Sequence, residues 1–272
     1  MIFILGGRGF VGSAFARACE HAGREYAVID RQSYGDFVDR RCEVLINAAG
    51  NSKKFLAARD PMGDFDASVR RVRASVMDFR FDVFVHMSSC DVYPDCSSPS
   101  LTSEDQPLDV AAQSPYGFYK YLAEQCVRHG ARQWLIIRFG GFVGPGLKKN
   151  AIFDILNGGP LWLDPGSELQ YMRTDEGAKI VLELLDRGIR NDVFNVCGRG
   201  VVRLEEVIRW AGREAEVRPG SPKVRYEVNT RKIANVVQIP ETRTTVFEFV
   251  RREWGVGQEA PLGRAPGLRQ QS

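Results

Sequence analysis

Residues 1–12, MIFILGGRGFVG, decide the fold. Ile2 to Leu5 form a short apolar run that breaks directly into glycines. Gly6, Gly9 and Gly12 are spaced three apart, and an amphipathic segment follows from Ser13 to His21. Such a run reads as a buried parallel strand, and a tight turn into a helix calls for residues without a Cβ. The turn lets backbone approach a pyrophosphate, and the helix N-terminus behind it offers free N–H groups and the positive end of its dipole. Three glycines in a plain strand–turn–helix would look the same on their own. Two features select a dinucleotide site instead. The glycines follow the first strand, and a second apolar run, Tyr26 to Ile29, ends at Asp30, about 20 residues on, where an acid would meet a ribose 2′-hydroxyl.

The chain's 272 residues suffice for one large core with a smaller lobe. A composition of 44% hydrophobic and 26% charged residues suits a soluble globular enzyme. The net charge of +3 is too small to argue for nucleic acid or a membrane surface as partner. No apolar run reaches membrane-spanning length, and residues 1–5 read as a strand rather than a secretory signal. Cys19, Cys42, Cys90, Cys96, Cys126 and Cys197 include no C-x-x-C pair and read as reduced thiols of a cytoplasmic protein. With three histidines and no clustered ligand spacing, no catalytic metal is expected.

Strand-like runs at 2–5, 26–29, 43–47, 83–87 and 134–138 alternate with helical patterns at 13–22, 68–79 and 115–129. That alternation predicts an α/β fold with a doubly wound parallel sheet. The short connection from Asp30 to Glu43 leaves the sheet one strand smaller than usual. Val44 to Gly50 ends a strand in Asn47, Ala48, Ala49 and Gly50, small groups that let a flat ligand approach the backbone. Pro61 is a helix stop or start, and Arg70, Arg71 and Arg73 read as a solvated helix face.

The chemistry lies further on. Val83 to Met87 is a strand, with Ser88-Ser89-Cys90-Asp91-Val92-Tyr93-Pro94 at its C-terminal end. In Tyr116-Gly117-Phe118-Tyr119-Lys120, a helix beginning near Pro115 puts Tyr116 and Lys120 on one face. An ammonium beside a phenol favours the phenolate and is expected to lower its pKa from about 10. Such a tyrosine exchanges protons with a substrate oxygen that a strand-end serine can hold. Asp91, two residues past Ser89, points to the same side of an extended strand end. It reads either as a proton acceptor or as a cap of the turn before Tyr93-Pro94.

The segments GGRGFVG, INAAG, SSCDVYP and YGFYK together resemble the extended short-chain dehydrogenase/reductases, specifically the NAD-dependent epimerase/dehydratase family. The likeness continues through Leu135 to Gly146, Tyr171 to Asp175 and Val193 to Val196, and so runs to about residue 254. It implies a Rossmann domain over 1–145, with 175–200 returning to it, and a substrate lobe of 146–174 and 201–254. Gly255 to Ser272, with little apolar material and two prolines, reads as a flexible tail. Ser89, Tyr116 and Lys120 would be the catalytic trio. The glycine turn (Gly6, Arg8, Gly9, Phe10, Val11, Gly12), Asp30, and Asn47 to Gly50 would hold the cofactor, and Phe142 would border the nicotinamide. Tyr116 and Lys120 would also touch it, with lysine on the ribose. Asp91 stands where the family's dehydratases carry a glutamate. The implied reaction is hydride transfer through a transient ketone on a sugar, most naturally a nucleotide sugar, in a homodimer.

Some residues depart from the family. Gly141 stands where nucleotide-sugar members commonly have asparagine, and Leu169 where they commonly have arginine. Lys148, Lys149 and Arg173 are available as replacement charge or as plain surface groups. Asp30 favours NAD, while Arg8 and Arg31 would suit the 2′-phosphate of NADP. The alternatives are a simple carbonyl reductase on a non-nucleotide substrate and a redox-sensing dinucleotide-binding protein. The second commonly lacks the tyrosine or lysine retained here.

Overall fold

The computed structural model describes residues 1–52 and 54–253. The tail expected over Gly255 to Ser272 lies outside the described residues. Strand β1 (Ile2–Leu5) runs through the glycine turn into α1 (Gly12–His21), then β2 (Tyr26–Ile29). The connection onward to β3 (Arg41–Asn47) holds only the single-turn α2 (Tyr34–Phe37). Helices α3 (Lys54–Arg59), α4 (Pro61–Phe65) and α5 (Arg71–Asp78) follow, then β4 (Arg80–Ser89), α6 (Pro115–Gly130) and β5 (Trp134–Phe139). The second half contains β6 (Gly141–Val143), α7 (Ala151–Asn157), β7 (Glu168–Leu169), β8 (Tyr171–Arg173), α8 (Thr174–Asp186) and β9 (Asp192–Val196). It continues with β10 (Val202–Arg203), α9 (Leu204–Ala211), β11 (Arg225–Tyr226), α10 (Arg231–Ala234) and α11 (Thr242–Glu253).

Six strands pair in parallel in the order β2-β1-β3-β4-β5-β9. The chain leaves β1 toward β2 and returns on the other side as β3, so the order reverses beside the C-terminal end of β1. Ligands bind at such a switch point. The short 30–43 connection supplies no strand, and β2 forms the edge. Alternation of side chains divides the core in two. Ile2, Ile4, Val85 and Ile137 pack with Phe15 of α1 and Leu184 of α8 on one face. Phe3, Leu5 and Phe84 pack with Val72 and Val76 of α5 and Val127 of α6 on the other. Beyond β5, β10-β7-β11 and β6-β8 form two small sheets, and a separate cluster joins α7, α9 and α11.

The helix expected over 68–79 is instead two pieces, a π-helical turn at Asp66–Arg70 followed by α5. Asp64, Ser68, Val72 and Val76 are buried at a constant spacing of four. An α-helix of 3.6 residues per turn would drift by about 40° at each such step. The extra residue of the π-turn absorbs that drift and keeps the row facing inward.

At the centre lies an ion pair that periodicity does not reveal. Arg138 on β5 donates from Nε and Nη2 to both oxygens of Glu124 on α6, at 3.0 and 2.8 Å, with side chains 3% and 0% exposed. Ser88 donates to Glu124 at 2.6 Å, and Arg138 donates to the Tyr93 hydroxyl at 2.9 Å. Tyr93 in turn donates to Asn195 on β9 at 3.0 Å. Burial alone would lower the guanidinium pKa, but the hydrogen bonds and charge of Glu124 outweigh it and hold it above its ordinary value. Removing one partner leaves a buried charge without compensation. Arg138→Met is expected to cost about 3–5 kcal/mol in urea unfolding, and adding Glu124→Leu to recover much of it. Equal stability of single variant and wild type would show the pair to be dispensable.

Candidate active site

The glycine turn is held by close approach. Gly6 has φ +73°, and a Cβ on it would lie 2.9 Å from the Cα of Ala49. A Cβ on Gly12 would sit 2.2 Å from the carbonyl oxygen of Gly6. No side chain can therefore intrude at either place. Gly9 N–H donates to Gly6 O at 2.8 Å, and Ser13 N–H to Gly9 O at 2.9 Å. No side chain caps the N-terminus of α1. The resulting cavity, about 910 Å³, is lined by Gly6, Arg8, Gly9, Asp30, Arg31 and the strand end Asn47, Ala48, Ala49 and Gly50. Phe10, Val11, Gly12 and Phe142 stand outside that lining. Phe10 and Phe142 meet edge to face at 6.4 Å, and Val11 packs on the sheet core.

Asp30 is less free than the sequence suggests. Its Oδ1 accepts from the N–H groups of Gln32 and Ser33 at 2.9 and 3.1 Å and from the Ser33 hydroxyl at 3.2 Å. Arg8 approaches Oδ2 at 3.1 Å. The Ser33 backbone bond leads the causes that lower its pKa below the usual carboxylate value. Arg8 thus partly neutralises the acid meant for the ribose. Asn47 is buried, donating to Ser75 at 3.3 Å and accepting from its own Ala49 N–H at 3.0 Å.

Ser89, Tyr116 and Lys120 converge at the C-terminal end of β4. Ser114 caps α6 by accepting from Gly117 N–H at 3.1 Å, and Pro115 takes the first helical position. A Cβ on Gly117 would lie 2.0 Å from the carbonyl of Asp91, so the helix start presses directly on the strand end. Tyr116 and Lys120 are both 8% exposed, with the ammonium 5.7 Å from the phenol ring centre. The phenol pKa moves opposite to the sequence expectation. Burial, then the charges of Asp91 and Asp64, push it above 10, and only the Ser89 hydrogen bond pulls the other way. The resting phenol is a proton donor. Lys120 is pulled below its ordinary value by burial, with Asp64, Asp91 and Glu124 opposing.

Sequence reasoning missed four contributors. Asp64 is 3% exposed, lines the cavity, and among the described residues its Oδ2 has no hydrogen-bond partner. Lys54 reaches Asp91 at 2.6 Å, and Tyr226 donates to the same oxygen at 3.5 Å. His86, on β4, is 1% exposed. The first three come together only through tertiary folding, and no spacing signals them. Arg70 and Arg71 are exposed as expected, yet both also line the cavity. Of the replacement cations, Lys148 is exposed, while Lys149 donates to the Ser52 carbonyl and to its hydroxyl.

This fold and site define a dinucleotide-binding α/β protein of the short-chain dehydrogenase architecture. The chain belongs to the NAD-dependent epimerase/dehydratase family, whose model matches residues 2–197. Its fold is similar to that of a UDP-galactose 4-epimerase: 20% identity over 92% of this chain and 97% of that one, TM-score 0.75. A UDP-glucuronic acid 4-epimerase variant from Bacillus cereus, in complex with a fluorinated UDP-glucuronic acid and NAD, gives 16%, 94%, 98% and 0.76. RMD from Pseudomonas aeruginosa, complexed with NADPH, gives 21%, 92%, 97% and 0.74. No curated protein matches the chain.

The buried His86 makes a prediction about pH. Among the described residues neither ring nitrogen has a hydrogen-bond partner. Burial first, then the Lys120 charge, lowers its pKa to about 3. Between about 6.5 and 3 the unfolded chain takes up a proton that the folded one does not. This residue's contribution to stability therefore falls as pH drops, by about 1.4 kcal/mol per unit. Unfolding free energies of wild type and His86→Leu, measured from about pH 5.5 to 4.5, should differ in slope by about that amount, and parallel curves would refute it.

Proposed function

We propose that the protein is an NAD-dependent enzyme acting on a sugar, most naturally a nucleotide sugar, by epimerisation or elimination at a transient ketone. The observation that carries this reading is the meeting of Ser89, Tyr116 and Lys120 at the strand end beside the glycine cradle. The cradle suits the cofactor, since Gly6 and Gly12, lacking a Cβ, let the turn pack tightly on Ala49 and on itself and leave its backbone open to a pyrophosphate. Gly6, Gly9 and the α1 N-terminus would take the pyrophosphate, Asp30 and Arg8 the adenosine ribose, Lys120 the nicotinamide ribose, and Phe142 would border the ring. When bound, the dinucleotide supplies the hydride acceptor.

The chain's own residues handle protons and orientation. Ser89 holds the reacting substrate oxygen, and Tyr116 exchanges a proton with that oxygen. Lys120 sets the charge next to the phenol and fixes the ribose. Asp91 accepts a proton from the carbon beside the ketone. Residues 146–174 and 201–253 form the lobe that closes on the substrate. The proposal includes a homodimer and a cytoplasmic setting. NAD is favoured over NADP because the Asp30 carboxylate repels a 2′-phosphate. The neighbours, complexed with NAD in one case and NADPH in another, support the cofactor class.

A second reading, reduction of a carbonyl on a non-nucleotide substrate, is favoured by one feature. A Cβ at Gly141 would lie 2.6 Å from Gln170 O, so the asparagine of nucleotide-sugar members has no room there.

Tyr116→Phe is expected to lower turnover by at least about 100-fold with little change in cofactor affinity, because only the proton-transfer step is removed. Cofactor reduction followed across a panel of nucleotide sugars and simple ketones checks this and separates the two substrate readings. Undiminished turnover would discard the trio. Calorimetry should show tighter binding of NAD(H) than of NADP(H), with Arg8→Ala widening the gap. A preference for the phosphorylated form, abolished in that variant, would reverse the cofactor assignment.

A further inference from the structure

Asp91 is gripped from both sides. Its Oδ2 accepts from the Ser89 hydroxyl at 2.9 Å, and its backbone N–H returns a bond to the same hydroxyl oxygen at 3.2 Å. Its Oδ1 faces the Lys54 ammonium at 2.6 Å, with the Tyr226 hydroxyl at 3.5 Å. The ammonium also stands 5.5 Å from the Tyr226 ring centre. These partners come from β4, α3 and β11, three elements far apart in sequence. The Asp91 side chain is only 16% exposed.

A turn residue has no need of such a cage. An aspartate's terminal torsion is a broad, nearly two-fold rotor, so one anchored oxygen leaves the carboxylate free to swing. Anchoring the second oxygen by a charge-assisted bond fixes its plane. The other groups that feel the Asp91 charge are Tyr116, Tyr226, Cys90 and Cys96, all held protonated, and the buried Lys120. Among the described residues, Lys54 is the cation in direct contact with the carboxylate.

We propose that Lys54 is a positioning residue for the Asp91 carboxylate, fixing the oxygen that takes a proton from a sugar carbon beside a carbonyl. This rests on the assignment of Asp91 as proton acceptor. In the step concerned, the substrate C–H bond breaks, an O–H bond forms on Asp91, and the electron pair moves to the carbonyl oxygen as an enolate near Ser89. Return of a proton from solvent to carbon while Asp91 releases its own to solvent completes epimerisation; passage of the Asp91 proton to a neighbouring hydroxyl, which leaves as water as the enolate electron pair forms the C=C bond, completes elimination. Oδ1 is taken up by Lys54 and Tyr226, so Oδ2, which accepts from Ser89, keeps a lone pair free for this while Oδ1 stays anchored.

The first test needs no substrate. In NAD-loaded protein carrying 13C-labelled aspartate, the Asp91 carboxyl resonance is assigned by its loss in Asp91→Asn. Lys54→Met should move or broaden that resonance and Lys54→Arg restore it, with both variants melting as wild type. An unaltered resonance in Lys54→Met overturns the proposal. The second test uses UDP-glucose, UDP-glucuronic acid and GDP-mannose as probes in deuterated water. Lys54→Met should lower deuterium entry at carbon at least about tenfold more than it lowers cofactor reduction, with recovery in Lys54→Arg. Equal loss of both would make Lys54 a substrate contact and overturn the proposal. Undiminished deuterium entry in Asp91→Asn would instead defeat the proton-acceptor reading, while the resonance test still decides what Lys54 does.

Discussion

The site depends on the Arg138–Glu124 pair under the end of the sheet. Two charges out of water cost several kcal/mol each unless every lone pair and proton is met. Here both carboxylate oxygens receive the guanidinium, Ser88 adds a third donor, and Tyr93 takes another guanidinium N–H. The cost of breaking this arrangement locks α6 to β5 and both to the last residues of β4. Ser89 follows Ser88, and Tyr116 and Lys120 lie on the N-terminal turns of the helix that carries Glu124. Ser89, Tyr116 and Lys120 therefore inherit their spacing from an ion pair to which none of the three is hydrogen-bonded among the described residues. The Tyr93–Asn195 bond carries the same constraint to β9. Asn195 then donates to the carbonyls of Thr102 and Asn229, tying in two loops from distant parts of the chain.

Electrostatics in the site itself are a balance of two carboxylates against two ammonium groups. Burial, then Asp91 and Asp64, hold the Tyr116 phenol pKa above its ordinary value, and the two acids oppose the lowering that burial imposes on Lys120. Lys54 answers Asp91 from the rim. The i, i+4 placement of Tyr116 and Lys120 was legible because helix geometry is local. The direction of the phenol's shift was not, because it is set first by burial and then by two acids, one from the strand end and one from the helix before the π-turn. The Ser89 hydrogen bond pulls the other way and is outweighed.

The same division explains what else the sequence disclosed. The glycine turn, the parallel strands, Asn47 to Gly50 and the Ser89–Tyr116–Lys120 order were readable because each is a local pattern with a local cause. The π-turn was hidden because a four-residue spacing of buried positions looks like an ordinary helix until the drift is counted. Lys54, Tyr226 and Asp64 were hidden because their partners lie on other elements. Asp30 was read correctly as the acid at the end of the second strand, but its occupation by Gln32, Ser33 and Arg8 depends on how that turn closes.

The two departures at the substrate end have one origin, and it is packing. Gly141 lies against the Gln170 carbonyl and the Tyr171 ring, where a Cβ would come within 2.6 and 2.7 Å. Neither neighbour yields readily. The Gln170 side chain is buried, donating to Gly198 O and accepting from Val228 N–H, and Tyr171 is 4% exposed. Leu169 is half-buried on β7 between Val202 and Tyr226 and packs into the cluster of α7, α9 and α11. Its place in that cluster is apolar, and an arginine there would bring a charge into it. Gly141 is thus committed to the β6–β8 contact, and Leu169 to the cluster of α7, α9 and α11. A nucleotide held in this cleft would have to be gripped by groups other than these two. Lys148 and Lys149 follow β6 along the chain, and Arg173 ends β8, the two strands that Gly141 and Tyr171 bring together.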